Sequence, residues 1–489
     1  MTTAPASLQG PPTLVWLRQD LRLADNPALQ AADGAIIPLY ILDETPGVEP
    51  LGGASRWWLD KSLAALAADL EAIGSRLILR RGPAGEVLRA LIAETGAATV
   101  HWNRLYDAGS IARDKTIKAE LTDEGVTCRS FNAGLLNEPW EIATGSGGPY
   151  KVYTPYWRNA RSRVGTITPG PAPERLTAPK AWPTSDALSD WGLHPRKPDW
   201  SAGFSDWRPG EAGAQQRLED FLGGPVATYS DDRNRPDLPG TSGLSPHMHF
   251  GEIGPRQIWR SAQDAVARGA SERQVEKFLA EVGWREFHHH LLFHFPDLPT
   301  QNFRPEWDGF VWRDDEEAFV AWTRGQTGYP IVDAGMRELW ATGFMHNRVR
   351  MIVASFLIKD LMIDWRRGEA WFRDTLVDAD IAQNAANWQW VAGSGADAAP
   401  YFRIFNPVTQ GQKFDPDGVY VRKWVPELGK LPSKVIHAPW TAVSDLLAGA
   451  DVAVGQTYPR PLVDHGKARD RALQAYAALK SAREGDGTR

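Results

Sequence analysis

Apolar residues follow two different rhythms along this chain. Near the start they come in short runs of strand length: Thr13 to Leu17, Ala35 to Leu42, Leu77 to Arg80, Ala98 to Trp102 and Val126 to Phe131. Between these runs they recur at helical spacing. Leu59, Leu63, Leu66 and Leu70 form one stripe, and Val87, Leu88, Leu91 and Ile92 another. Strands alternating with amphipathic helices predict parallel βαβ units with right-handed crossovers. The expected fold is a doubly wound parallel α/β domain over residues 10–140.

The rhythm then changes. Leu136 to Asp206 is rich in Gly, Pro, Ser and Trp and has little periodicity, which predicts a long connector over residues 141–210, with short helices around Pro155 to Arg163. From residue 211 to 480 helical patterns dominate: Gln215 to Leu222, Gly254 to Ala267, Glu272 to Phe293, Glu316 to Thr323, Ile331 to Thr342, His346 to Leu361 and Lys467 to Tyr476. Breaks at Gly325–Pro330 and Thr342–Gly343 separate neighbouring helices, as turns do in a compact bundle. The second half therefore reads as an all-helical domain.

Composition narrows the functional classes. At 489 residues there is room for two or three cores. A net charge of −6 carries no global nucleic-acid signal, so any phosphate contact must come from a local basic patch. A single cysteine, Cys128, excludes an intramolecular disulfide and a cysteine-based zinc site, and fits a reducing cytoplasm. No metal site is expected. The start of the chain lacks a basic-then-apolar leader, and no segment approaches the roughly 18 uninterrupted apolar residues of a membrane span. The 22 tryptophans are the oddity: indoles anchor cores, but they also stack on bases and relay electrons.

Several polar stretches exceed what a fold needs. The loop after the first strand holds Arg18, Asp20, Arg22, Asp25 and Asn26, for which salt bridging and ligand contact are equally open. It has neither a Gly-x-Gly-x-x-Gly fingerprint nor a Walker sequence. Between Tyr229 and Ser245, Arg233 and Arg235 precede Thr241, Ser242, Gly243, Leu244 and Ser245, a pattern suited to an anion cradle or to simple helix capping. Phe278, Glu281, Trp284 and Arg285 fall at i, i+3, i+6 and i+7 along one helical face. Asn347, Arg350 and Met351 share another face, with Arg348 pointing elsewhere. The run from Asp378 to Trp390 packs Asp378, Asp380, Asn384, Asn387, Trp388 and Trp390 into one short segment. It reads either as a wall for a polar aromatic ligand or as an acidic N-cap on a buried, Trp-rich helix.

Taken together these segments resemble the photolyase/cryptochrome flavoprotein family over nearly the whole chain. The matching stretches are Trp16 to Arg22, Thr241 to Ser245, Trp284 to Phe287, Gly328 to Asp333, the Asn347 segment, Ile363 to Trp365, Asp378 to Trp390 and Tyr401 to Pro407. The resemblance implies an α/β domain joined by a connector to a helical FAD-binding domain. It assigns Tyr229, Thr241, Ser242, Leu244 and Ser245 to the phosphates and ribityl chain of FAD. Phe278, Arg285, Arg350, Asp378 and Asp380 are assigned to other cofactor contacts, with Asp378 also an ion-pair partner for a nearby arginine such as Arg233 or Arg350, and Asn384 is assigned to the flavin N5 edge. Trp388, Trp365 and Trp312 fall on the family's electron relay.

The same resemblance places Glu281, Trp284, Asn347, Met351 and Trp390 at the pocket for a flipped cyclobutane pyrimidine dimer. Enzymes for (6-4) photoproducts carry histidines where Asn347 and Met351 stand, and plant cryptochromes typically carry an acid where Asn384 stands. The implied activity is light-driven electron donation from reduced FAD to the dimer in ultraviolet-damaged DNA, ring splitting and return of the electron. Arg233, Arg348 and Arg403 are candidates for backbone phosphates. A monomer is expected. The rival readings are a cryptochrome-type blue-light receptor, a (6-4) photolyase, and a two-domain protein whose tryptophans only pack. For an antenna chromophore, methenyltetrahydrofolate is the first expectation and a deazaflavin the second. The Asn-Glu pair of the folate-binding branch is replaced here by Gly109-Ser110, which leaves Glu138 among the alternative contacts.

Overall fold

The computed structural model describes residues 10–398 and 402–486; Tyr401 of the last matching stretch lies outside them. Five parallel strands form one sheet: β1 (Thr13–Leu17), β2 (Ile36–Asp43), β3 (Ile78–Gly82), β4 (Thr99–Asn103) and β5 (Thr127–Phe131), in the order β3-β2-β1-β4-β5. The order reverses between β1 and β4, and an open α/β sheet presents its crevice at such a switch point. β1 is central and buried at all five residues, as a run of Leu, Val and Trp requires when both faces are covered. Leu59, Leu63, Leu66 and Leu70 are all buried on the helix Gly53–Ala72, so that stripe faces the sheet as predicted.

The charged loop after β1 is mainly structural. Arg18 Nη1 donates to both carboxylate oxygens of Asp114 at 2.9 Å, and Asn103 Nδ2 donates to Asp20 at 2.5 Å. Arg22 donates to the carbonyls of Gly251 (2.9 Å), Asp25 (2.7 Å) and Ala133 (3.0 Å), which ties the loop to the helical half. The salt bridge expected here is present at Arg18, while Asp20 and Arg22 are held by hydrogen bonds to an amide and to backbone carbonyls.

The connector is not a free spacer. The Ile36 N–H donates to Thr177 O and the Asp186 N–H to Leu79 O, while Leu176, Trp191 and Leu193 join the core on one face of the sheet. The short helices expected around Pro155 to Arg163 are one α-helix, Tyr153–Arg163.

In the second half the predicted helices appear as Glu211–Gly223, Pro255–Ala267, Glu272–His294, Glu316–Thr323, Pro330–Thr342 and His465–Asp486. One expectation changes. His346 to Leu361 is not a single α-helix: Asn347–Ser355 passes into a π-helical turn, Phe356–Asp360. That turn carries two buried charged side chains, Lys359 donating to Ala392 O and Asp360 paired with His465 at 2.6 Å. Widened turns of this kind re-aim side chains that a regular helix would misplace.

The helix Ile381–Ala392 separates two cores. Ala382, Ala385 and Ala386 pack into one with Phe278 and Phe287, and Trp388 and Ala392 into another with Trp365 and Phe372. Among the described residues no helix is long and apolar enough to cross a membrane, and no cluster of His, Cys, Asp and Glu suits a metal.

Candidate functional site

A cavity of about 310 Å³ opens between Ile381–Ala392, Asn347–Ser355 and Glu272–His294. Burial is graded across it. Asn347 is exposed and Glu281, Trp284, Met351 and Trp390 are half-buried, whereas Asp378, Asn384 and Trp388 are buried. The residues assigned to a lesion thus form the outer wall, and those assigned to a flavin edge lie deeper in the same cavity.

Two networks fix the inner wall. Asp380 caps its helix, with Oδ1 accepting from the Gln383 N–H at 2.9 Å, which sets the rotation of Asn384 one turn on. Asn384 Nδ2 donates to Glu369 O (3.1 Å) and Oε1 (2.8 Å), so its amide oxygen remains for a ligand. Arg350 Nη2 donates to Asp378 Oδ2 at 2.9 Å, while Asp378 Oδ1 is buried without a donor. Arg350 and not Arg233 is therefore the partner of Asp378. Arg233 pairs with Glu281 and lies over the Tyr229 ring, 5.3 Å from its centroid.

Burial raises the Glu369 carboxyl from 4.5 to about 7, against the Asn384 hydrogen bond, which lowers it; Arg373 Nη2, which donates to Oε2 at 3.1 Å, also favours the charged form. A carboxyl with a raised folded pKa binds its proton more tightly folded than unfolded. Its stabilisation is fully present below pH 4.5 and is lost as pH rises through about 7. Glu286 and Glu338 are also raised to about 7, so the wild-type profile alone does not isolate Glu369. The Tm difference between wild type and Glu369→Gln should drift across that window by the equivalent of about 3 kcal/mol at most. A parallel pair of Tm–pH curves would refute the assignment.

Not every assigned residue reaches the cavity. Phe278 packs against Phe221 (4.7 Å) and meets Tyr229 edge-on (5.9 Å) inside the core. The periodic face breaks at Arg285, which turns to an interdomain recess and donates to Gly134 O at 2.6 Å. Asp380 Oδ2 faces the same recess, 3.4 Å from His289 and 3.9 Å from His249. Burial alone would raise this carboxyl, but His289, His249 and Arg285 together hold it well below the usual carboxylate range. Thr241, Ser242, Leu244 and Ser245 form a separate loop. The helix Ser245–His249 begins with no side-chain cap, and Ser242 Oγ accepts from the Leu244 N–H at 3.4 Å, so capping does not occupy the hydroxyls of Thr241 and Ser245.

Trp388 and Trp365 are buried in one core cluster, with half-buried Trp312 packed against it. Trp365 Nε1 donates to Asn302 Oδ1 at 3.0 Å. Trp388 also meets Trp322, with ring centroids 6.3 Å apart. Arg348 is engaged with Asn234 Oδ1 (2.6 Å) and lies over the Phe414 ring at 4.4 Å; Arg403 lines a small recess with Lys359 and Trp390.

Several site residues escaped the sequence reading. His288 lines the cavity with Nδ1 2.7 Å from Gln383 Oε1, and burial pushes its pKa down to about 4, so the imidazole is neutral near pH 7. Its spacing four residues after Trp284 was the available signal. Glu369 offered none, because its role comes from a helix crossing.

A second cavity of about 480 Å³ lies between the two halves and reaches Glu369 and Asn384 from the α/β side. A Cβ on Gly109 would sit 2.0 Å from Gly47 O, so the missing Asn-Glu pair reflects a loop that closes over this position. Glu138 is already held by the Tyr106 hydroxyl (2.8 Å) and by Arg104.

Comparison with known proteins agrees with this architecture. Residues 13–174 match the DNA photolyase family, and residues 278–478 match the FAD-binding domain of DNA photolyase. The chain is 58% identical to a deoxyribodipyrimidine photo-lyase of Agrobacterium fabrum over 97% of its own length and 99% of that protein. It is 39% identical to cryptochrome-1 of Arabidopsis thaliana, covering 96% of this chain and 70% of that one. The fold superposes on a crystal structure of a bacterial class III photolyase from Agrobacterium tumefaciens with a TM-score of 0.95 at 57% identity, covering 98% of this chain and 100% of the other. An α/β sheet, a helical FAD-binding domain and full-length relatedness lead to one conclusion: the chain belongs to the photolyase/cryptochrome family.

Proposed function

We propose that this chain repairs ultraviolet-damaged DNA by flipping a cyclobutane pyrimidine dimer into the 310 Å³ cavity and splitting it in light. The carrying observation is that one cavity is lined both by the residues assigned to the lesion (Glu281, Trp284, Asn347, Met351, Trp390) and by those assigned to the flavin (Arg350, Asp378, Asn384). Bases unstacked from a duplex are held by aromatic faces and by hydrogen bonds to their edges, and Trp284, Trp390 and Glu281 supply both.

The inner wall suits FAD. Asp378 Oδ1, buried without a donor, fits an imide N–H or a ribose hydroxyl, and the hydrogen bond from Arg350 to Oδ2 orients that carboxylate. When bound and reduced, FAD supplies the light-excited electron that opens the cyclobutane ring and takes it back. Asn384, pinned by Glu369, presents an oxygen to the flavin edge without offering an acidic proton. Tyr229, Thr241, Ser242, Leu244 and Ser245 serve the phosphate end, with Phe278, Arg285 and Asp380 behind the site. Trp388, Trp365 and Trp312 carry electrons inward when the flavin needs reducing. Glu281 exchanges its Arg233 partner for base-edge donors once the lesion enters. Arg233, Arg348 and Arg403 then meet the DNA backbone, so affinity falls with salt.

The interdomain cleft is our candidate place for an antenna, methenyltetrahydrofolate before a deazaflavin. The protein acts as a cytoplasmic monomer, with its domain limits near residues 140 and 210. A blue-light receptor is the second reading, favoured by its likeness to Arabidopsis thaliana cryptochrome-1. The deciding test illuminates the purified flavoprotein with ultraviolet-irradiated oligothymidine and follows dimer loss. Dimers should disappear only in the light. Bound flavin without repair would overturn the proposal in favour of the receptor.

A further inference from the structure

The connector helix Tyr153–Arg163 packs closely on Glu272–His294, and a glycine permits it. A Cβ on Gly283 would stand 2.5 Å from Cδ2 of Trp157, so that indole fills the space a side chain would need. Four residues before Trp157, on the same face of the connector helix, Tyr153 lies parallel to Trp284. Their ring centroids are 3.8 Å apart and their planes differ by 7°. Tyr153 is itself fixed at two further points. Its hydroxyl donates to Ala280 O at 2.6 Å, one turn before Trp284, and its backbone N–H donates to Asp397 Oδ2 at 3.3 Å. One face of Trp284 is thus covered, and the indole borders the cavity with what remains.

We propose that Tyr153 is a positioning residue for lesion recognition: it backs Trp284, so that a flipped pyrimidine stacks as the third layer on an indole whose rotamer is already set. The proposal rests on the reading of Trp284 as lesion wall. Fixing a large side chain before the ligand arrives removes an ordering cost from the binding step. A parallel aromatic pair adds attraction beyond its buried area. A purely packing role would instead affect the connector as a whole, and with it the fold, the flavin and undamaged DNA alike.

The test measures dark binding of the holoprotein to a duplex with one thymine dimer and to the same duplex undamaged. Tyr153→Leu should weaken dimer binding about tenfold while leaving undamaged-DNA affinity and flavin absorbance in place. Tyr153→Phe keeps the ring and should recover most of that affinity. On a Trp284→Ala background, Tyr153→Leu should add less than about twofold, because the indole it serves is gone. Wild-type dimer affinity in Tyr153→Leu, or losses that multiply in full, would overturn the proposal. Trp284→Ala binding as wild type would instead sink the lesion-wall reading beneath it. If the leucine variant does not fold, Tyr153→Met fills the space without a ring face and carries the same comparison.

Discussion

Asp378→Ala should yield a protein that no longer retains flavin through gel filtration and melts several degrees lower. Two effects combine at this carboxylate. Oδ2 is the partner of Arg350, whose guanidinium also lies over Phe344 at 5.1 Å and donates through Nε to Met345 O at 2.7 Å. Removing one side of a buried ion pair costs roughly 3–5 kcal/mol because the other charge stays desolvated. The Arg350 side chain keeps 22% exposure, so the lower end, about 3 kcal/mol, is the expected loss. The second effect falls on the cofactor, since Oδ1 is a buried acceptor with no protein donor. Asp378→Asn separates the two: it keeps the shape and one acceptor but loses the charge, and should retain part of the flavin. Flavin absorbance relative to protein absorbance, measured beside Tm, checks both. Full flavin content in Asp378→Ala would show that this carboxylate does not hold the cofactor.

The fold was largely legible because its signals are local. All five predicted strands lie within two residues of their observed limits, since short Leu-, Ile- and Val-rich runs between helical stripes have few other uses. The cavity was partly legible. Glu281, Trp284, Asn347, Arg350, Asn384 and Trp388 meet as their helical spacings and the family resemblance suggested. Spacing failed where several sides of one helix are buried. Phe278 and Arg285 share a periodicity with Glu281 but point into a core and an interdomain recess, and no period separates one buried face from another. Pairing failed for a different reason. Asp378 had two arginines in reach by sequence logic, and only the crossing of Asn347–Ser355 over the Asp378 loop selects Arg350. Tyr153 and Glu369 were invisible because both act through contacts between distant segments. The connector helix was expected around Pro155 to Arg163, but its close approach to a glycine of the neighbouring helix was not.

Gly368→Ala tests the other side of the wall. Within a helix such as Trp365–Thr375 alanine is intrinsically better than glycine by about 1 kcal/mol, so propensity alone predicts a more stable protein. Packing predicts the reverse. The new Cβ would lie 2.2 Å from Cη2 and 2.5 Å from Cζ3 of Trp388, and 2.7 Å from Cδ2 of Leu357. Both side chains are buried, with 3% and 0% exposure, and Trp388 is braced by Phe372 (5.0 Å) and Trp322 (6.3 Å). A rigid indole so enclosed cannot yield cheaply, and overpacking of this kind costs about 1–3 kcal/mol. Packing should therefore win, with a net loss of up to about 2 kcal/mol and a tilted Trp388. Light-driven reduction of the oxidised bound flavin should slow under the relay proposed above, in which Trp388, bordering the cavity, is the member nearest the flavin. The cause can be isolated in a double variant. Trp388→Phe removes the two closest of the colliding atoms and leaves only Leu357 Cδ2, so Gly368→Ala should cost less stability on that background than with Trp at 388. If the glycine change costs the same with Phe at position 388 as with Trp, the close approach of these two helices does not set the position of the indole.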